Sequence, residues 1–390
     1  MLNDLDRRAL RSVGLQFLIN GVVFASFIPR LPEIRDRLGV DLDTLGLLLT
    51  LGSLGGIVGS ALVGRMMGPL GTKRSMTIGS IGLVSALPFV GLAETPWVFL
   101  LALVAMQGFD VITDVAMNLQ GSWLSDRRHT PVMNRLHGLW SLGTVAGGLV
   151  AALVAGRISL TTHLFIVAGI LFATALYVVP GLLAVDEHVD DPPDESGVES
   201  EAGRSGWRRR LGGVGLAFGV MATLAAAIEI IPSDWAALRL VDDFGVAEQT
   251  AALGYVGFTS GMVTGRFSGD WLTVRLGAVR FTRLTIVVAT FGIAIATLAP
   301  TTWLTVVGSF IAGCGVAAVF PRLYDDSAKA PGRPGVVLGA MTAGIRFGLL
   351  LAPVAVGALA ETSLSVGSAM AIVAIPAGLM LLVIRERSVA

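Results

Sequence analysis

Charge and cysteine are both scarce in this 390-residue chain. Asp, Glu, Lys and Arg make up 14% of it, where a soluble globular chain carries about 25%. The hydrophobic share is 54% and the mean hydropathy is +0.76, more apolar surface than a soluble fold of this length can hide. Cys314 is the single cysteine, so no intrachain disulfide forms. Lysine occurs only as Lys73 and Lys329, after Thr72 and Ala328. With no Gly-Lys pair there is no Walker A phosphate loop, so uphill movement by this chain would not use ATP through that route. A formal net charge of +0 argues against a nucleic-acid partner. The histidines do not cluster and no metal-ligand spacing or nucleophile–base signature occurs, so no cofactor, metal or enzyme activity is expected.

Long apolar runs are what the chain has instead. A bilayer span needs roughly 20 apolar residues. Twelve runs approach or exceed that length, at 10–28, 45–63, 76–93, 97–119, 138–155, 164–183, 212–231, 251–267, 284–298, 303–320, 336–359 and 366–384. The 49 glycines suit helices whose backbones approach closely in lipid. The polar N-terminus and the length of the first run fit an uncleaved first span rather than a cleaved signal peptide. The abundance of arginine over lysine is an association with GC-rich bacterial genomes. The expected fold is an all-α integral membrane protein of twelve helices. It divides into a six-helix half at 1–184, an acidic, Pro-containing linker at 185–210 and a second six-helix half at 211–390. Basic residues concentrate on one side of the spans, which places both termini and the linker in the cytoplasm.

A basic, glycine-bounded segment appears once in each half. The first copy runs from Gly64 and Arg65 to Gly71, Lys73 and Arg74. The second contains Gly265, Arg266, Asp270, Arg275 and Gly277. Pro29 matches Pro232, and the glycines of span five match those of span eleven, at similar offsets and in the same orientation. That pattern predicts parallel repeats related by an axis along the membrane normal.

Ionisable groups inside spans are expensive and face the bundle interior or a water cavity. Span four carries Gln107, Asp110, Asp114 and Asn118 on one helical face. Asp110 and Asp114, one turn apart, are expected to bind or release protons; the alternative is a structural stripe satisfied by neighbouring helices. Glu229 in span seven either faces the cavity as a third proton-linked group or belongs to a helix-breaking turn at Pro232. Trp235 is expected as an interfacial anchor. Gln16 and Asn20, four apart in span one, are candidate solute contacts or helix ties. Arg346 in span eleven pairs with a carboxylate of span four or seven, or with an anionic solute. Arg266 and Asp270 read as a local gate pair. Arg135 and His137, at the entrance of span five, read as packing or gating residues. Spans three, six, nine and twelve carry no charge and form the expected lipid-facing set.

These segments resemble the major facilitator superfamily over almost the whole chain. Gly64-x-x-x-Gly68-x-x-Gly71-x-Lys73-Arg74 is similar to the superfamily's loop between spans two and three, with Gly68 where an aspartate is usual. Arg30-Leu-Pro32, Asp114-x-x-x-Asn118, Asn134-Arg-Leu-His137-Gly-Leu-Trp140, Glu229 with Asp234-Trp235, and Gly265-Arg266-Phe-Ser-Gly-Asp270 resemble its fucose-permease-like bacterial branch. The resemblance implies spans one, four, seven and ten around a central cavity. It implies alternating access without covalent chemistry, in a monomer of the bacterial cytoplasmic membrane. A small polar solute such as a sugar, moved with protons, is the expected cargo. The alternative is a proton-coupled drug or metabolite exporter, lowered by the absence of the span-four arginine and span-five Gly-Pro typical of such antiporters. A membrane enzyme or a transporter-like sensor is the reading from a different class.

Overall fold

The computed structural model describes residues 4–128, 132–184, 213–329 and 334–389. The predicted linker at 185–210 lies outside the described residues, as do the surroundings of Gly64 and the side chain of Asp270. Among the described residues the structure is helical throughout. In the first half of the chain the helices are α1 (Asp4–Ala25), α2 (Leu31–Leu38), α3 (Leu42–Gly52), α4 (Leu54–Leu92), α5 (Pro96–Arg128), α6 (Met133–Val154) and α7 (Leu160–Val178). In the second half they are α8 (Gly213–Phe244), α9 (Glu248–Leu276), α10 (Ala278–Leu298), α11 (Thr302–Val316), α12 (Val319–Lys329), α13 (Pro334–Ala360) and α14 (Val366–Val389).

Eleven helical stretches among the described residues are long and apolar enough to cross a membrane. The predicted eighth run, on α9, is not among them, although α9 has 29 residues. Its glycines, threonines and serines dilute the apolar character that the other helices have.

Within the first half α1 packs on α6, and α4 on α5 and α7; within the second, α8 packs on α13 and α14, and α10 on α11 and α14. The halves meet along two seams, α6 against α9 and α3 against α13. One end of the bundle holds the start of α1 and the end of α5, tied by Arg127 Nε to Asp6 Oδ1 at 2.9 Å. We call this the terminal end, and the opposite end, bearing α2, the loop end. Large apolar side chains point outward on all sides, among them Phe165, Ile170, Phe291 and Leu379 from the helices expected to face lipid.

The halves repeat their local devices. The two basic segments are almost entirely helical, broken at one glycine each: Gly71 at φ 69°, ψ 170° and Gly277 at φ 77°, ψ 152°. Both lie in a region of backbone space essentially closed to residues with a Cβ. The predicted loops therefore shrink to single kinks.

A second repeated device sits at the loop end. Arg37 Nη1 donates to the carbonyl of Gly91 at 2.6 Å, at the end of α4, while Glu33 Oε1 accepts the N–H of Leu160 at 3.3 Å, at the start of α7. In the second half Arg239 Nη2 donates to the carbonyl of Ala299 at 2.7 Å, just past α10. Asp243 accepts the N–H groups of Val366 and Gly367 at 2.9 and 2.8 Å, at the start of α14. Each half thus uses one arginine for orphaned helix carbonyls and one carboxylate for orphaned N–H groups, matching the sign of each helix end.

Two expectations change. Pro232 does not end its helix, because α8 runs on to Phe244. A proline removes one backbone bond, which neighbouring groups in a bundle compensate. Consequently Trp235 is no interfacial anchor: it lies inside a packed helix at 0% exposure.

Candidate functional site

The polar face of α5 points into the bundle. Asp114 keeps contact with solvent although protein surrounds it on almost every side, the position of a side chain on a cavity wall. Asn118 Nδ2 donates to both Asp114 Oδ1 and the Asp114 carbonyl at 2.9 Å. One turn deeper, the carboxylate of Asp110 stands against the side chain of Asn20 on α1. Gln16 Nε2, Asn20 Oδ1 and Asp110 Oδ1 are buried with no hydrogen-bond partner among the described residues. Gln107 is half-buried on the same face.

Arg346 of α13 completes this cluster from the other half of the chain. Its Nη2 lies 3.4 Å from Ser60 Oγ on α4, and its charge acts on both Asp110 and Asp114. Tyr324 of α12 lies near enough for the charges of Asp114 and Arg346 to act on it. The charge of one guanidinium from the second half thus acts on two carboxylates of the first.

A second cluster lies on the seam between α6 and α9. Arg266 of α9 donates through Nη1 to Ser141 Oγ, and its guanidinium carbon sits 5.0 Å from the centre of the Trp140 ring. The Ser141 hydroxyl donates its own proton to the carbonyl of His137 at 3.0 Å, leaving the oxygen free to accept. His137 stacks edge-on against Phe17 of α1 at 5.2 Å between ring centres. Glu229 of α8 lies close enough for its charge to act on Arg266 and on Asp234. Arg266 is therefore turned towards Ser141 and Trp140.

The model of the Major Facilitator Superfamily matches residues 13–342. The chain belongs to the major facilitator superfamily. It is a multi-pass membrane transporter by that membership. It is 30% identical over 358 residues to the uncharacterized transporter y4wD of Sinorhizobium fredii, covering 90% of this chain and 91% of that one. It is 26% identical to the membrane protein MosC of Rhizobium meliloti, over 92% and 85% of the two chains. The solved nucleoside transporter NupG superposes with a TM-score of 0.76 at 14% identity, over 99% of this chain and 98% of that one. A bacterial homologue of the human lysosomal transporter Spinster, inward-facing and unoccupied, gives 0.66 at 15% identity, over 100% and 96%. At these identities the two structures establish the superfamily fold alone.

In this superfamily member the remaining residues of the two basic segments, together with Arg135, gather at the terminal end, apart from both clusters. Arg65, Arg74 and Arg135 are exposed and Lys73 is half-buried. Arg275 lies 4.0 Å from the centre of the Trp271 ring. Sequence reading missed the groups that join the halves at the loop end. Arg35 pairs with Asp242, Leu42 N–H donates to Glu361 Oε1 at 2.6 Å, and Thr50 Oγ1 donates to the Leu350 carbonyl at 2.9 Å. No sequence signal finds them, because the partners stand 207, 319 and 300 positions apart.

Proposed function

We propose that this chain is a proton-coupled secondary transporter of a small polar solute, working by alternating access in the bacterial cytoplasmic membrane. In this reading residues 1–184 and 211–390 are two six-span units joined by the linker at 185–210. The helix α9 is the eighth span, and the terminal end is cytoplasmic, as the distribution of arginine favours. The chain acts as a monomer.

One observation carries the reading: Arg346, from the second unit, reaches Ser60 of the first, near enough to the polar face of α5 for its charge to act on Asp110 and Asp114. A membrane-buried charge pairs or marks an ion pathway. Here the charge compensation is incomplete, since two carboxylates lie in the field of one cation, and these groups belong to the units that move apart. Protonation of one carboxylate removes the excess charge and loosens its claim on Arg346. Coupling of proton occupancy to the relative position of the units follows. The unpartnered polar atoms of Gln16, Asn20 and Asp110 line the same corner. They comprise a donor and acceptors, a mixture that hydroxyl groups satisfy because each both donates and accepts. A sugar or sugar-like solute fits that mixture.

A thermal-shift screen of sugars, organic acids and drugs identifies a binder. Uptake of that compound into proteoliposomes then tests coupling. A pH gradient is expected to drive accumulation by the wild type and none by Asp110→Asn with Asp114→Asn, at unchanged helicity. Undiminished accumulation by the double variant would sink the assignment.

A further inference from the structure

Arg346 carries its charge inside an apolar helix long enough to span a membrane. Its Nη2 donates to Ser60 Oγ at 3.4 Å; among the described residues that is its one hydrogen bond, with no carboxylate oxygen at ion-pair distance. Small residues of α4 build the seat it occupies. Side chains at Gly55 and Gly59 would strike the carbonyls of Val104 and Gly108, so that face of α4 lies close on α5. The adjacent face, at Gly56 and Ser60, receives the guanidinium. A Cβ at Gly56 would stand 2.7 Å from Arg346 Nη1 and 3.5 Å from Val111 Cγ2, so the notch borders α5 beside Asp110. Ser60 donates its own proton to the Gly56 carbonyl at 2.7 Å and offers Arg346 a neutral oxygen alone. A guanidinium has five donors, and one long bond to a hydroxyl is not the anionic partner that a cation at membrane depth requires. Arg346 is half-buried, so that partner has access from the cavity.

We propose that the solute itself is the missing partner: Arg346 receives the carboxylate of a hydroxylated acid, and the notch at Gly56 and Ser60 holds the guanidinium in place for it. The inference rests on the transport reading above and narrows its solute from sugars in general to sugar acids. A carboxylate matches the planar fork of a guanidinium with two parallel bonds. The rest of the corner suits hydroxyl groups, through the orphaned atoms of Gln16 and Asn20. A single negative charge is also what the corner accommodates. Arg346 is the one cation of this cluster, beside the carboxyl groups of Asp110 and Asp114. Protons on those groups leave one positive charge for one negative solute. A dianionic phosphate would keep an uncompensated charge at a buried site.

Thermal stabilisation of the full chain in detergent by matched compounds tests this. The probes are gluconate and glucuronate, their neutral relatives glucitol and glucose, and glucose phosphate, all in mildly acidic buffer. The two acids are expected to raise the thermal midpoint of the wild type, and the other three are not. Arg346→Gln is expected to lose the response to the acids. Gly56→Ala is expected to keep the midpoint of the ligand-free protein, because the added Cβ meets the tip of a flexible side chain rather than backbone. It should nevertheless weaken acid binding by about ten-fold, the low end of what a charged hydrogen bond contributes. Equal stabilisation by the neutral sugars or the phosphate, no response to either acid, or an acid response that survives Arg346→Gln overturns the proposal. So does a Gly56→Ala variant that binds the acids as tightly as the wild type. No pH gradient enters this measurement. Undiminished accumulation by the double aspartate variant would therefore sink the proton-coupled reading and leave acid binding standing. Proton-driven uptake of a neutral sugar, with no response to the acids, sinks this proposal alone.

Discussion

Glu361 closes the first turn of a helix that belongs to the other half of the chain: its Oε1 accepts the N–H of Leu42 at 2.6 Å. The first N–H groups of a helix lack internal partners and carry partial positive charge, so a carboxylate there satisfies both needs. Asp41, the N-cap of α3, takes the N–H of Thr44. The neighbouring ion pair between Arg35 and Asp242 also crosses the halves. Backbones touch at this end as well. A side chain at Gly46 would strike the carbonyl of Pro353, and one at Gly357 that of Leu42. The loop end is thus shut by a cap, an ion pair and close helix contact.

Removing that cap should open the loop end. Losing a helix cap costs about 1 kcal/mol, so Glu361→Ala should shift the closed-to-open ratio by about five-fold towards open. Adding Asp242→Asn should shift it further. Spin labels on Arg157→Cys and Ser363→Cys, in a Cys314→Ser background, report the distance across this end. An unchanged distance distribution would show that the cap does not hold the halves.

Glu248, at the start of α9, predicts a pH effect on the same closure. Its carboxyl lies above the ordinary range, first because burial disfavours its charge, then because Glu33 repels it; Arg30 opposes this and Asp36 adds to it. Glu33 and Asp36 belong to the opposite half. A raised value means that the closed arrangement holds the proton more tightly than the open one. Closure is therefore favoured below the ordinary glutamate range and penalised as pH rises through the raised value. Glu248→Gln should be more closed than the wild type at neutral pH, and the difference should vanish in acid. The spin-label distances, followed from neutral pH downward, measure it.

The paired kinks predict a matched loss of stability. A residue with a Cβ in the backbone conformation of Gly71 or Gly277 costs of order 1–3 kcal/mol. Gly71→Ala and Gly277→Ala should each lower the thermal midpoint in detergent, while Gly68→Ala, where a Cβ meets open space, should not. Equal midpoints for all three variants would refute the shared geometry.

Gln120 anchors the end of the first half. It is 0% exposed, donates to the carbonyl of Leu183 at 3.0 Å and accepts the Leu183 N–H at 3.1 Å. Gln120→Leu leaves both backbone groups buried and unpaired, at a cost of about 1–3 kcal/mol each. A lower midpoint and faster proteolysis after Leu183 are the expected readouts.

Much of this was readable in residues. The spacing of Gln107, Asp110, Asp114 and Asn118 identifies an interior face, since a helix repeats its direction every three to four positions. Gly71 and Gly277 mark equivalent points because few residues tolerate what a sharp kink needs. Trp235 misled, because tryptophan suits both an interface and a core, and only the continuation of α8 past Pro232 decides between them. Arg266 shows a different limit. Beyond the local reading with Asp270, whose side chain lies outside the described residues, the fold brings up Ser141, 125 positions away.

The sequence by itself determined that this is a helical membrane protein with a repeated plan and carboxylates in its interior. Those properties follow from hydropathy and periodicity, which act locally along the chain. Only the tertiary structure decided which charges meet. The approach of Arg346 to the polar face of α5, the bond from Arg266 to Ser141 and the capping of α3 by Glu361 depend on how distant helices cross. Electrostatic and hydrogen-bond energies depend on separation in space, and composition carries no record of that separation.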